Sequence, residues 1–208
     1  KLTQFGSGIQ IFKGNPKQVW EEITNSYSIS QVYTNKDYEP YGIKRDKEIA
    51  SLLNKKNISF NLVKDQVIFE ENEITKDDGK PYTVYTPYKN KWLKHFNKSM
   101  CELVNIANLS AGFYKTANTF PTKESLKIKT NTIKVKPFNL SEIENYEEYR
   151  NFPAQDKTSY LSPHLRFGTV SVREMVQLGL AKNAVFLSEL IWREFFMQIL
   201  FHFPKVVT

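Results

Sequence analysis

The sequence predicts an α/β part followed by an all-α part, with a long polar connection between them. Three observations predict it. The first third of the chain alternates short strand-like runs with helical ones, the middle loses its apolar period, and the end is helical and very apolar. Strands alternating with helices in units this short imply a parallel sheet with right-handed crossovers, here an incomplete one.

Each element follows from its local pattern. "GIQIFKG" (Gly8–Gly14) reads as a short strand, and Pro16 then opens a helix through "KQVWEEI". Ser30–Asn35 reads as a second strand. Lys44–Asn57 places Ile49, Leu52 and Leu53 on one side of a helix with a basic end. "ISFNLVKDQVIF" (Ile58–Phe69) alternates like a strand, and "TKDDGKPY" turns the chain. From Asn97 to Lys157 the sequence is rich in Lys, Thr and Asn, as in a linker or a segment draped over a surface. Ser171–Gly179 reads as a helix and Ala184–Phe203 as a longer one, apolar on nearly every side, which suits the middle of a helical domain. The expected divisions are a partial α/β domain at 1–96, a linker at 97–140 and the N-terminal part of a helical domain at 141–208. Few helices are present to cover the last one, and the sheet starts abruptly. A piece of a longer protein, or faces hidden against partners, is therefore expected.

Composition narrows the class. The chain has 208 residues, enough for a core without staples, and 14% aromatics. One cysteine, Cys101, excludes an internal disulfide and points to a reducing compartment. No charge-free apolar run reaches membrane-spanning length, and "KLTQFGSG" lacks the core of a signal peptide, so a soluble cytoplasmic chain with no membrane partner is expected. A net charge of +7 and a pI near 9.3 fit a nucleic-acid partner, although the lysines are scattered. There are no repeats and no glycine-rich phosphate loop. His95, His164 and His202 lack metal-ligand spacing, so no metal site is expected.

Two stretches concentrate chemistry. In "TSYLSPHLRFG" (Thr158–Gly168), Ser162 and Pro163 form a good N-cap and first-turn pair, leaving Thr158 and Ser159 spare beside Lys157. Such a cluster is either a polar capping loop or a phosphate site. On the last helix, Glu189, Trp192, Arg193 and Phe196 fall on one stripe. That stripe is either an internal Glu189–Arg193 ion pair among core aromatics or a pocket wall. As a wall it offers a carboxylate for hydrogen bonding, an indole for stacking and a guanidinium for an anion.

These residues also carry a resemblance. "TSYLSPHLRFGTVSVREM" followed by "FLSELIWREFF" closely resembles the flavin-binding region of the DNA photolyase and cryptochrome family. Upstream, "NKDYEPYGIKRD" and "KDQVIFEENEITKDDGKPYTVYTPYKNKWLKHF" resemble that family's antenna domain, in the same order. The resemblance implies that Thr158, Ser159, Leu161 and Ser162 wrap the phosphates of flavin adenine dinucleotide (FAD), which Tyr146 and Arg193 also contact. It places Arg150 near a DNA lesion and makes Glu189 and Trp192 the catalytic pair that receives a flipped pyrimidine dimer. Having both Glu189 and Trp192 resembles the class that repairs cyclobutane dimers with blue light, by electron transfer from reduced FAD. The implied partner is damaged DNA, and the implied state a monomer. An antenna chromophore is also implied, whether deazaflavin, flavin mononucleotide (FMN) or folate. Folate is least supported, because Gly42 stands where folate-binding members often carry glutamate. Family members are longer and carry further flavin-binding helices, which again implies a partial chain. A cryptochrome-like photoreceptor, or a cofactor-free α/β-plus-helical module, remains an alternative.

Overall fold

The computed structural model describes residues 2–116, 120–129 and 131–207; the expected divisions also take in residues 1, 117–119, 130 and 208, which lie outside them. Helix α1 (Pro16–Ser26) starts where expected: Asn15 Oδ1 accepts the Lys17 N–H at 3.0 Å and Pro16 supplies the first-turn φ. Strand β1 (Gln31–Asn35) and strand β2 (Ser59–Val63) pair in parallel, with Val32 opposite Phe60. Helix α2 (Pro40–Asn54) connects them and opens four residues before the expected Lys44, because Pro40 sets its first turn. Val32, Ile49, Leu53 and Ile58 bury together between helices and sheet, with Trp20, Leu52 and Phe60 closing the edges. Gly42, in the first turn of α2, is buried, and a Cβ there would run into the side chain of Asp37 from its Cβ outward.

Two expected strands are corrected. Gly8–Gly14 runs as irregular chain with Ile9 and Phe12 exposed, since among the described residues no strand lies alongside to accept its ladder bonds. The strand expected over Ile58–Phe69 stops at Val63. Beyond it Val67, Ile68 and Phe69 are almost fully buried, away from the sheet. Their backbone is taken by α7 (Ala184–His202), whose side chains replace a neighbouring strand. Arg193 Nη1 donates to the Gln66 carbonyl at 2.7 Å. The Glu194 carboxylate accepts the N–H groups of Ile68 (2.6 Å) and Phe69 (3.1 Å). Gln198 Nε2 donates to the Glu70 carbonyl at 2.9 Å, and His202 Nε2 to that of Glu71 at 2.8 Å.

Glu194 also accepts from Trp92 Nε1 (2.7 Å) and Tyr88 Oη (3.3 Å) of α3 (Tyr85–His95). This helix has no capping side chain at Val84, and its buried stripe is Tyr85, Tyr88 and Trp92. The larger core gathers that stripe with Ile68, Phe69, Ile74, Cys101 and the apolar faces of α6 (Val172–Lys182) and α7. Gly179 lets α6 and α7 approach, a Cβ there meeting the Leu187 backbone at 3.1 Å. Asn183 caps α7, its Oδ1 accepting the N–H groups of Val185 and Phe186.

Between Asn97 and Asn145 the described chain forms short 3-10 segments and a hydrogen-bonded turn at 123–127. A single turn, α4 (Tyr146–Tyr149), precedes α5 (Leu161–Arg166). Helix α5 begins one residue before the expected Ser162 cap. Tyr160, at φ 52°, turns the chain so that Leu161 enters the core, which leaves Ser162 inside the first turn and its hydroxyl uncommitted. Among the described residues no helix is long and apolar enough to cross a membrane.

Burial pushes the Glu194 carboxyl up to about 7, while its four donors hold it from rising further. A folded-state value above the ordinary 4.5 means this group's contribution to stability is full at acidic pH and is lost as pH rises through 7. Urea unfolding at several pH values should therefore show wild-type stability falling between about pH 5 and pH 8 relative to Glu194→Gln. Glu194→Ala, which strands four buried donors, should cost about 4 kcal/mol or more. Gly42→Ala should cost about 1–3 kcal/mol in the same measurement, because Asp37 cannot clear the new methyl without backbone movement.

Candidate functional site

A cleft of about 510 Å³ opens where α5 and the cleft-facing side of α7 meet the loop after β1. Its apolar floor includes Leu161, Leu165, Phe186 and Leu190, and its polar wall includes Ser159, Ser162, Glu189 and Arg193. The geometry follows from local sequence. Residues 189, 193, 196, 197 and 200 of α7 share one face, so Glu189, Arg193, Phe196, Met197 and Leu200 all reach the cleft. The left-handed turn at Tyr160 brings Ser159 and Ser162 to the same space. Among the described residues, the hydroxyls of Thr158, Ser159 and Ser162 have no hydrogen-bond partner.

The charges are individually tethered. Arg150 Nη1 donates to Glu189 Oε1 at 2.5 Å, with both side chains about one-third exposed. The internal Glu189–Arg193 ion pair expected as one reading of the stripe is thus replaced: Glu189 reaches across to Arg150, the residue just after α4, and Arg193 reaches the Gln66 carbonyl. Burial pulls the Arg193 guanidinium down from its ordinary value, with the Glu194 charge opposing this; an arginine still remains protonated. Arg166 pairs with Glu39 at the rim, which holds the guanidinium up. Burial raises the Tyr146 phenol, as does the nearby Glu189 charge. Tyr146 packs edge-on against Phe186 and lies under Arg150, its ring centroid 5.6 Å from the guanidinium carbon.

Six of the nine residues singled out from sequence line this one cleft: Tyr146, Ser159, Leu161, Ser162, Glu189 and Arg193. Arg150 joins them through Glu189. Thr158 is half-buried one residue outside the lining. Trp192 does not line the cleft; it stacks on Tyr85 of α3 at 3.6 Å and 11°, and on Phe196, which does line it, at 5.4 Å and 23°. Sequence reasoning missed Asp37, Tyr38, Glu39 and Gln66 as lining residues, since they come from the far end of the chain. It also missed Glu194, adjacent to Arg193 but turned inward. A carboxylate on an otherwise apolar helix was the available signal.

The arrangement offers unpartnered hydroxyls and a guanidinium for an anion, an apolar floor for a flat ring system, and a carboxylate beside stacked aromatics. A family model for DNA photolyase matches residues 1–105. A deoxyribodipyrimidine photo-lyase from a Synechococcus strain is 29% identical over 99% of this chain and 49% of its own length. A bacterial class III photolyase from Agrobacterium tumefaciens has the same fold, with a TM-score of 0.68 at 23% identity over 92% of this chain and 45% of its own. An archaeal photolyase from Sulfolobus tokodaii, solved with two FAD molecules, gives 0.66 at 24% identity over 99% of this chain and 46% of its own. The chain spans about half the length of the curated relatives it matches. With its parallel β1–α2–β2 unit followed by helices, and with half its length matched by the family model, the chain belongs to the DNA photolyase family.

Proposed function

We propose that the protein repairs cyclobutane pyrimidine dimers in DNA under blue light and that the cleft holds part of an FAD. The observation that carries this reading is the convergence of Tyr146, Ser159, Leu161, Ser162, Glu189 and Arg193 on one cleft. The residues fit the cofactor. The free hydroxyls of Ser159 and Ser162 and the Arg193 guanidinium suit a pyrophosphate, and Leu161, Leu165 and Leu190 suit an apolar ring face. Thr158 adds a third hydroxyl at the margin. When bound, reduced FAD supplies light-driven one-electron chemistry that opens a cyclobutane ring.

The chain's own residues bind and orient. Arg150 fixes one oxygen of Glu189, leaving the other to accept an N–H from a flipped base. Trp192 and Phe196 provide aromatic surface beside that carboxylate. Flipping costs least at a damaged, poorly stacked step, which favours the lesion over intact DNA. The +7 net charge supports phosphate contacts along the strand. The relatives' names and the S. tokodaii protein's two FAD molecules support the same reading. The proposal includes an antenna chromophore, with deazaflavin or FMN ahead of folate, since Gly42 has no room for a side chain and so offers no carboxylate to a pterin. It also includes a monomeric state and a cytoplasmic location.

The direct test is the visible spectrum of the purified protein together with blue-light repair of an oligonucleotide carrying one thymine dimer. Flavin absorption with dimer splitting is expected. Flavin without splitting indicates a photoreceptor instead, and a colourless, inactive protein contradicts the proposal. Arg193→Ala should lose most of its flavin on gel filtration; full retention removes Arg193 from cofactor binding. Trp192→Ala should keep flavin while its affinity for dimer-containing DNA falls about thirtyfold, as expected for one lost stacking contact of about 2 kcal/mol.

A further inference from the structure

Trp192 is held from outside its own helix. Tyr85, the first residue of α3, lies flat against the indole with ring centroids 3.6 Å apart and planes 11° apart. Its hydroxyl lies 2.7 Å from both the carbonyl oxygen and Oγ of Ser188, one turn before Trp192 and next to Glu189. Tyr85 is itself immobilised: it is buried, meets Phe195 edge-on at 5.8 Å, and has Lys89 Nζ 5.8 Å from its ring centroid. A single side chain thus grips α7 at two points, the backbone at Ser188 and the ring plane of Trp192.

A buried flat partner at van der Waals distance leaves an indole little freedom about its side-chain torsions. With Tyr85 flat against the indole and Phe196 stacked on it at 5.4 Å, Trp192 meets an arriving base by way of Phe196, which lines the cleft. From this geometry we infer that Tyr85 is a positioning residue for lesion recognition, setting the plane of Trp192 relative to the Glu189 carboxylate. The inference rests on the repair reading above and assigns α3 a part in it.

The test compares the purified holoprotein with its Tyr85→Met and Tyr85→Phe variants. Methionine fills similar space without a flat face, whereas phenylalanine keeps the face and loses the bond to Ser188. Four properties are measured: near-ultraviolet circular dichroism, thermal midpoint, flavin content, and the ratio of affinities for an oligonucleotide with one thymine dimer and its undamaged twin. Tyr85→Met should lose the coupled Tyr–Trp signal and lower the affinity ratio about tenfold with flavin content unchanged. Tyr85→Phe, which keeps the flat face but has no tyrosine to couple, should hold the affinity ratio within about twofold of the unmutated protein. A methionine variant that folds, loses the signal and keeps the ratio overturns the inference and leaves the repair reading standing. Equal losses in both variants, tracking a fall in thermal midpoint, indicate a purely structural role and overturn it as well. An unmutated protein with no preference for the dimer defeats the repair reading, and the positioning role with it. Should Tyr85→Met fail to fold, 5-fluorotryptophan labelling of the unmutated protein decides. One narrow Trp192 resonance is expected, and a split or exchange-broadened one overturns the inference.

Discussion

One buried carboxylate sets the geometry of everything around it. Glu194 is 3% exposed, and stripping an ion of water to that extent costs several kcal/mol. Four donors offset part of the cost of the charged form: two backbone amides, an indole and a phenol, each contact to a charged group contributing about 1.5–3 kcal/mol. The donors come from two separate stretches, the segment after β2 and helix α3. Satisfying one side chain therefore fixes both to α7, joining the end of the sheet to the helical part of the molecule.

The consequence reaches the cleft through α7. This helix is apolar on nearly every side, yet each side meets a different neighbour. Arg193, Glu194, Gln198 and His202 serve the backbone from Gln66 to Glu71 as an adjacent strand would. The face carrying Glu189, Phe196 and Leu200 lines the cleft. Trp192 lies against α3. Arg193 belongs to two of these sets, touching the Gln66 carbonyl while facing the cleft, so the anchoring contacts and the candidate site share a residue. A small rotation of α7 would disturb both.

The parts of this fold legible in the sequence are those specified locally. Helix α1 announces itself with Asn15 and Pro16, α7 with its length and apolarity, and the parallel pairing of β1 and β2 with the alternation around α2. The concentration of hydroxyls at Thr158–Ser162 and the stripe from Glu189 to Phe196 were visible for the same reason, and of these stretches Ser159, Leu161, Ser162, Glu189, Arg193 and Phe196 line one cleft, whereas Tyr146 and Arg150 were named through the family resemblance alone. What escaped depends on distant partners. The run to Phe69 alternates like a strand, but its amides go to a carboxylate more than a hundred residues away. Helix α3 lacks a cap and buries tyrosines and a tryptophan in place of aliphatic residues, so its period is muted. The start of α5 is set by Tyr160 in a left-handed conformation, a choice that serves the burial of Leu161 and overrides the Ser162–Pro163 signal.

The measurement that tests this account most directly is amide hydrogen exchange at Ile68 and Phe69. If the Glu194 carboxylate takes the place of a strand partner, these two amides should exchange as slowly as those in the middle of α7, although they lie in no regular element. Exchange at the rate of the exposed chain around Gly8–Gly14 would contradict it, and would mean that α7 is not anchored in the way the cleft requires.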